Sequence, residues 1–290
     1  MRALALTLVL LTTAAADQKP KIIFWNMARP AVDSLVRHVP QSNELRLKQL
    51  AQTFNDLECS GSRLREHSVG EGKNLLCTLP GKTSKTILFV AHYEHEGTGE
   101  SAIDNWTGAM MLPFLYHAMA VAPREHTFVF AEIDGVAGAK ALLASLRADG
   151  LDTKTVVALD ALGLGPAQYY VNPTDAPLSH AADWGWMQRQ LLQAAIDLGA
   201  DAPISSIPGA WLKVDDTREF RHRLIPSILI HSVSGNTRHI PGSALDRASA
   251  IDADAYFKAY TLLCYYIAEL DESPPEQNHA SSPPSNRHVR

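Results

Sequence analysis

Four residues with metal-ligand chemistry lie at the predicted ends of strands or helices in this sequence. His92, Glu132 and Asp160 each follow an apolar, strand-like run, and Asp104 lies in a loop just before a helix predicted to begin near Trp106. An imidazole combined with carboxylates suits Zn²⁺, and a free carboxylate beside a bound metal can activate water. These residue types therefore indicate a metal site equipped to activate water.

Each of these residues also fits a purely structural role. His92 can hydrogen-bond a turn, Asp104 can cap the helix that follows it, and strand ends favour polar residues in any protein. A shared site requires that the strands be parallel neighbours, because the carboxyl ends of parallel strands meet at one edge of a sheet. Ligands of open α/β sheets bind at that edge.

The segments around these residues alternate between helical and strand-like patterns. Helical spacing predicts helices over 43–57, 106–121, 137–148, 182–198 and 253–270. Strand patterns cover 63–69, 74–79, 84–90, 127–131, 155–159 and 225–231, with a further short apolar segment at 21–25. This alternation predicts a three-layer α/β/α sandwich on a mostly parallel mixed sheet. Without an internal repeat or an interior linker, one domain is expected.

The composition and the two ends of the chain restrict its possible partners and its cellular compartment. The 290 residues are 46% hydrophobic with a net charge of -5 and no block of Lys and Arg, which argues against a nucleic-acid partner. Residues 1–16 resemble a secretory signal cleaved before Asp17, and their apolar part is too short to span a bilayer. An uncleaved N-terminal anchor is the alternative. Residues 271–290 are rich in Pro, Ser, Asn and His and are predicted to be a disordered tail.

These boundaries predict a domain over residues 17–270 in a secreted or periplasmic protein that leaves the membrane after signal cleavage. Three cysteines fit that compartment. Cys59 and Cys77 flank a short polar excursion, and an oxidising environment predicts a disulfide between them. Cys264 lies in an apolar helical pattern and is predicted to be a buried free thiol.

From about residue 86 to 270 the chain resembles the M28 family of zinc exopeptidases, most closely its single-domain secreted bacterial members. The family includes bacterial aminopeptidases and, more distantly, glutaminyl cyclases. Four segments carry the resemblance in the same order: VAHYEH (90–95), DNWTGA (104–109), ALDALG (158–163) and IPSILIHS (225–232). The resemblance implies the zinc exopeptidase fold and two zinc ions held by five protein ligands.

The resemblance assigns roles to the candidate residues one at a time. His92 matches a histidine ligand, Asp104 the carboxylate that bridges both metals, and Asp160 the aspartate that completes one of the two sites. Glu132 takes the place of the catalytic base. Three of the five ligands are therefore present by sequence.

The other half of the centre departs from the family. Ile133 stands where a glutamate ligand is expected, and isoleucine has no lone pair. If Asp246 keeps its place, Gly242 stands at the position of the histidine ligand. His239 can substitute only if its loop is rebuilt, and Asp134 only if the strand end changes. Both losses fall on the same metal, so the sequence predicts one zinc ion rather than two, or none.

Two further departures concern the surroundings of the site. Glu94 replaces the aspartate that orients the histidine ligand in the family, and its extra methylene changes that geometry. Asp215, Asp216 and Phe220 lie in a segment that weakly resembles a family loop near the specificity pocket.

These features leave three functions open. The first is a secreted zinc-dependent aminopeptidase with Glu132 as its base, and the second is a catalytically inactive homologue that binds a peptide in the old cleft. The third is a glutaminyl cyclase-like activity, which the resemblance disfavours because the single metal of that branch corresponds to the site missing here. The partner in each case is a peptide substrate or ligand.

Overall fold

The computed structural model describes residues 26–95, 97–171, 181–206 and 216–272. The strands are β1 Leu64–Val69, β2 Gly72–Leu79, β3 Lys85–His92, β4 Thr127–Ile133, β5 Asp152–Leu159, β6 Gln168–Tyr170, β7 Ile204–Ser205 and β8 Ser227–His231. The helices are α1 Arg29–Arg37, α2 Asn43–Asp56, α3 Thr107–Ala120, α4 Gly135–Ala148, α5 Ala181–Leu198, α6 Arg218–Arg221 and α7 Ala253–Glu272.

The strands form one mixed sheet in the order β1-β2-β4-β3-β5-β8-β6-β7. Its centre is parallel, because β3 pairs in parallel with both β4 and β5, and β5 pairs in parallel with β8. The pairs β1/β2, β2/β4 and β6/β8 are antiparallel. The predicted parallel neighbourhood of the strands that end near His92, Glu132 and Asp160 is therefore confirmed.

Helices cover both faces of this sheet. Helices α1, α2, α3, α5 and α7 pack on one face, and α4 and α6 pack on the other. Every residue of β4 is buried, as expected for a strand covered on both sides. The predicted α/β/α sandwich is confirmed.

Four of the helices and strands named above were not predicted from the sequence. Helix α1 begins with a proline in its first turn and buries only Val32 and Val36, which is too few apolar positions for a clear helical pattern. Strands β6 and β7 and helix α6 are shorter still. The apolar segment predicted at 21–25 lies outside the described residues.

The C-terminal boundary differs from the prediction. Helix α7 continues to Glu272, so Asp271 and Glu272 are helical and not part of the predicted tail. The Asp271 carboxylate accepts hydrogen bonds from the backbone N–H groups of Glu125 (2.9 Å) and His126 (2.8 Å) and thereby anchors the helix end beside β4. The predicted signal at 1–16 and the rest of the predicted tail lie outside the described residues.

The cysteines behave as predicted. Cys59 and Cys77 form a disulfide, and Cys264 is a buried free thiol. The disulfide joins the chain just after α2 to strand β2. None of the helices in the described ranges has the length and apolar character needed to cross a membrane.

Candidate metal centre

The structure brings His92, Asp104 and Asp160 together. Each offers one ligand atom, and these atoms all lie within 4.8 Å of one another. His92 Nε2 lies 3.1 Å from Asp104 Oδ1, and the Asp160 side chain is buried beside them. A single cation at their centre could therefore contact all three.

Strand topology explains this convergence. His92 is the last residue of β3, and Asp160 directly follows β5, its parallel neighbour. Both side chains therefore emerge at the carboxyl edge of the sheet. Asp104 lies on the turn Ala102–Trp106 that leads into α3, and its own backbone angles are not helical.

A buried asparagine ties the Asp104 turn to the end of β5. Asn105 donates its side-chain N–H to the carbonyl oxygen of Leu159 (2.9 Å) and accepts from the backbone N–H of Ala161 (3.2 Å). Its amide therefore bonds on both sides of Asp160. An aspartate could not donate the first of these bonds.

The carboxylate of Asp246 fixes the other side of the same turn. It accepts hydrogen bonds from the backbone N–H groups of Ile103 (2.6 Å), Asp104 (3.2 Å) and Gly242 (2.9 Å). Asp246 is fully buried, and this burial raises its pKa above the usual value. The residue thus joins the turn that carries Asp104 to the loop that contains Gly242.

The second ring nitrogen of His92 contacts a carboxylate from a distant segment. His92 Nδ1 lies 2.9 Å from Asp216 Oδ2, and the Asp216 side chain is only 2% exposed. Burial alone lowers the pKa of His92, but the charge of Asp216 and the hydrogen bonds to Asp104 and Asp216 outweigh it and raise the pKa well above 6.5. Metal binding at Nε2 must therefore displace a proton.

Glu94, predicted to orient His92, binds the start of helix α4. Its Oε2 accepts a hydrogen bond from the backbone N–H of Gly135 at 3.1 Å. A carboxylate is favourable at a helix N-terminus, where backbone N–H groups lack intrahelical partners. Asp216 therefore occupies the place next to His92 that the sequence suggested for Glu94.

Glu132 and Ile133 lie on opposite faces of the sheet. Along β4, Glu132 pairs with Ala91 and Ile133 with His92, and successive side chains of a strand alternate in direction. Glu132 is fully buried, and neither of its carboxylate oxygens has a hydrogen-bond partner among the described residues. Burial raises the pKa of Glu132 well above 4.5, although the nearby His92 opposes this shift.

Ile133 is part of the apolar packing under helix α4. Its side chain is fully buried, and a Cβ added at Gly138 would lie 3.2 Å from the Ile133 Cβ. The carboxylate of Asp134 lies against Gly72 at the start of β2, where an added Cβ would overlap it. Neither residue belongs to the group of three ligands.

Gly242 faces the site but supplies no ligand. A Cβ added at this position would lie 3.8 Å from Asp104 Oδ2, so a side chain here would begin beside the Asp104 carboxylate. The backbone φ of Gly242 is +69°, a conformation that L-residues rarely adopt. His239, predicted as a substitute ligand, is exposed and is not one of the three clustered residues.

A buried arginine that the sequence analysis did not single out holds the loop between His92 and Asp104. Arg46 donates hydrogen bonds to the carbonyl oxygens of Tyr93 (3.1 Å) and Ser101 (3.2 Å), and also to those of Pro40, Glu94 and Glu100. Burial lowers its pKa to about 10. The only sequence signal is an arginine one helical turn before Leu50, on the buried face of α2.

Three of the tryptophans are buried in the packing of the fold. Trp106 is fully buried, with the Arg46 guanidinium 5.6 Å from its ring, and Trp184 and Trp186 are buried in α5. Asp215 lies outside the described residues.

The fold is a three-layer α/β sandwich, and its imidazole and carboxylates meet at the carboxyl ends of parallel strands. Open α/β proteins bind their ligands at this edge of the sheet. Comparison of the sequence with known protein families identifies the family within this class of α/β protein. The family description "Peptidase family M28" matches residues 74–267, which is more than half of the chain. The chain therefore belongs to peptidase family M28. No curated protein matches it by sequence.

Solved structures share the fold at low identity. The glutaminyl cyclase of an Acidobacteriales bacterium matches with a TM-score of 0.67 and 18% identity, over 89% of this chain and 98% of that one. A Zn-dependent exopeptidase from Parabacteroides distasonis matches with 0.65 and 15%, over 84% and 99%. The zinc aminopeptidase BSAP from Bacillus subtilis matches with 0.57 and 16%, over 71% of this chain but only 52% of its own length.

Proposed function

We propose that this chain is a metalloexopeptidase that binds one zinc ion through His92, Asp104 and Asp160 and removes N-terminal residues from peptides. The observation that carries the proposal is the convergence of three ligand atoms within 4.8 Å of one another. Membership of peptidase family M28 supports peptides as the substrate class.

The ligands present fit one ion. Three protein ligands and an open position are the usual equipment of a catalytic zinc, and a zinc ion here would supply Lewis-acid activation of the peptide carbonyl and of water. A second ion would depend on residues 133 and 242, where isoleucine and glycine provide no donor side chain. We therefore propose one ion per chain.

Glu132 is the proposed general base. In this role its carboxylate takes a proton from the attacking water and returns it to the leaving amine. Because burial raises its pKa, the carboxylate is a stronger base than an exposed glutamate. Its oxygens also have no competing hydrogen-bond partner among the described residues.

Zinc content and turnover test this proposal together. The full-length protein would be dialysed, supplied with Zn²⁺, and assayed for bound metal and for hydrolysis of a panel of aminoacyl chromogenic substrates. We expect one zinc per chain and measurable turnover. Asp104→Ala should lose both, whereas Glu132→Gln should retain zinc and lose about 10²–10⁴-fold in rate, the usual contribution of a general base.

The outcomes separate the alternatives. Zinc without turnover above the Asp104→Ala control would favour the second candidate, a non-catalytic peptide-binding homologue, which the residues at 133 and 242 suggest. Cyclisation of an N-terminal glutaminyl peptide without aminopeptidase turnover would favour the cyclase. No bound zinc would overturn the proposal, and two ions per chain would contradict our account of Ile133 and Gly242.

We further propose that residues 1–16 are a secretory signal and that the mature protein, with a domain from Asp17 to about Glu272, acts outside the cytosol. The Cys59–Cys77 disulfide supports an oxidising compartment. N-terminal sequencing of the protein recovered from the periplasm or medium should begin at Asp17. Recovery of uncleaved chain in the membrane fraction would contradict this prediction.

A further inference from the structure

We propose that Asp216 is the positioning residue for His92 and that Glu94, two residues after the histidine, has lost this role. The inference rests on the proposed zinc site, because it concerns how one of its ligands is oriented. The claim itself concerns a contact that exists without the metal, so it can be tested separately.

The two nitrogens of the His92 ring face different carboxylates. Nε2 lies 3.1 Å from Asp104 Oδ1 within the ligand group, and Nδ1 lies 2.9 Å from Asp216 Oδ2. With a proton on Nδ1 donated to Asp216, the Nε2 lone pair is directed at the metal position. A carboxylate partner of this kind fixes the ring orientation and makes the imidazole a stronger ligand.

Burial shields the Asp216 contact from water. The side chain of Asp216 is 2% exposed and that of His92 14%, so water competes little for either group. Hydrogen bonds to an ionised acceptor are shorter and stronger than those between neutral groups. Asp216 directly precedes Thr217, whose carbonyl oxygen accepts from the backbone N–H groups of Phe220 and Arg221 in the α6 turn.

The extra methylene of Glu94 accounts for its different partner. Glu94 Oε2 accepts from Gly135 N at 3.1 Å, and a Cβ added at Gly135 would come within 2.6 Å of Glu94 Oε1. The carboxylate therefore fills the space beside the first residue of α4. By sequence, Glu94 stands where a residue that orients His92 is expected. Its carboxylate instead binds the N-terminus of α4.

Matched variants of the two carboxylates test the assignment. Asp216→Asn and Glu94→Gln each remove one negative charge and nearly preserve shape. Zinc affinity would be measured by competition with a chelator in the full-length protein, with circular dichroism as the check on folding. We expect Asp216→Asn to weaken zinc binding about 10–100-fold, the usual effect of losing such a partner, and Glu94→Gln to change it by less than about threefold.

A spectroscopic measurement on the metal-free protein examines the contact directly. The His92 Nδ1 proton should resonate far downfield and exchange slowly in the wild type. We expect this signal to survive in Glu94→Gln and to be lost in Asp216→Asn. The binding experiment uses Zn²⁺ as its probe. The spectroscopic measurement needs no metal.

The results distinguish the two proposals. A wild type that binds no zinc but shows the downfield proton would refute the zinc site and retain the role of Asp216. Loss of the proton or of zinc affinity in Glu94→Gln, with neither change in Asp216→Asn, would overturn the inference. If Asp216→Asn does not fold, the wild-type spectrum decides, since the absence of a downfield Nδ1 proton also overturns it.

Discussion

Replacement of Asp246 by asparagine tests whether one buried carboxylate holds the Asp104 turn in place. In the structure Asp246 Oδ1 accepts from Ile103 N, and Oδ2 accepts from both Asp104 N and Gly242 N. Asparagine retains one oxygen and exchanges the other for an NH₂ group. At least one of the three backbone N–H groups must therefore face a donor.

The cost follows from counting the groups left without partners. In the most favourable orientation the asparagine oxygen takes the Oδ2 place, and its NH₂ group points at Ile103 N. One buried N–H and one buried NH₂ are then unsatisfied, at about 1–3 kcal/mol each. Removing a carboxylate whose pKa is raised by burial offsets part of this loss. We expect Asp246→Asn to lower the free energy of unfolding by about 2 kcal/mol or more, a large share of a typical total of about 5–15 kcal/mol.

Urea unfolding of the metal-free protein at neutral pH measures this loss, and Asp252→Asn is the matched control. Asp252 is exposed and accepts one bond, from Ala255 N at 3.0 Å at the start of α7. Asparagine caps a helix about as well as aspartate, so the control should stay within about 0.5 kcal/mol of the wild type. An Asp246→Asn protein as stable as the control would refute the proposed role of the carboxylate. The variant should also bind zinc more weakly, because the N–H group that loses its acceptor belongs to Ile103, the residue directly before Asp104 in the turn.

Two further predictions concern buried titratable groups in the metal-free protein. The folded pKa of Glu132 lies above its unfolded value near 4.5, so its contribution makes stability fall as pH rises from the unfolded pKa through the folded one. Glu132→Gln should remove this fall and be the more stable protein at neutral pH, as measured by urea unfolding across pH 4–8. Burial lowers the pKa of His231 from 6.5 to about 4, so its contribution to stability is present above pH 6.5 and is lost as pH falls towards 4. This loss approaches about 3 kcal/mol at about 1.4 kcal/mol per pKa unit, and His231→Asn should show a correspondingly shallower decline in acid.

The elements that carry the site could be predicted from the sequence because their apolar runs are long and regular. The runs that end near His92, Glu132 and Asp160 are almost wholly apolar, which indicates strands covered on both faces. Parallel pairing of such strands puts their last residues at one edge, and the observed register of β3 with β4 and β5 has this geometry. Strands of two or three residues, such as β6 and β7, are too short to show any period.

The contacts that orient the ligands could not be predicted, because they join residues far apart in the chain. Its position two residues after His92 suggested Glu94 as the residue that orients the imidazole. In the structure Asp216 lies at His92 Nδ1 instead. Local spacing carries no information about a partner that arrives from another loop. Arg46 was missed for a related reason. A long polar side chain on the buried face of a helix is visible in the sequence, but the carbonyl groups it binds are not.

The two halves of the expected dinuclear centre depend on different structural supports, which explains how one can change without the other. Backbone N–H groups of the Asp104 turn bind Asp246, and Asn105 bonds on both sides of Asp160, so hydrogen bonds hold the loops that carry these two candidate ligands. Ile133 instead supplies apolar packing against α4, where a glutamate without an ion would bury an uncompensated charge. Gly242 approaches Gly97 closely, and a histidine there would have to adopt an unfavourable positive φ. With the proposed one-ion site, a second ion would require new side chains at both positions together with a rebuilt loop, since a glutamate or a histidine added alone would destabilise the fold without completing a site.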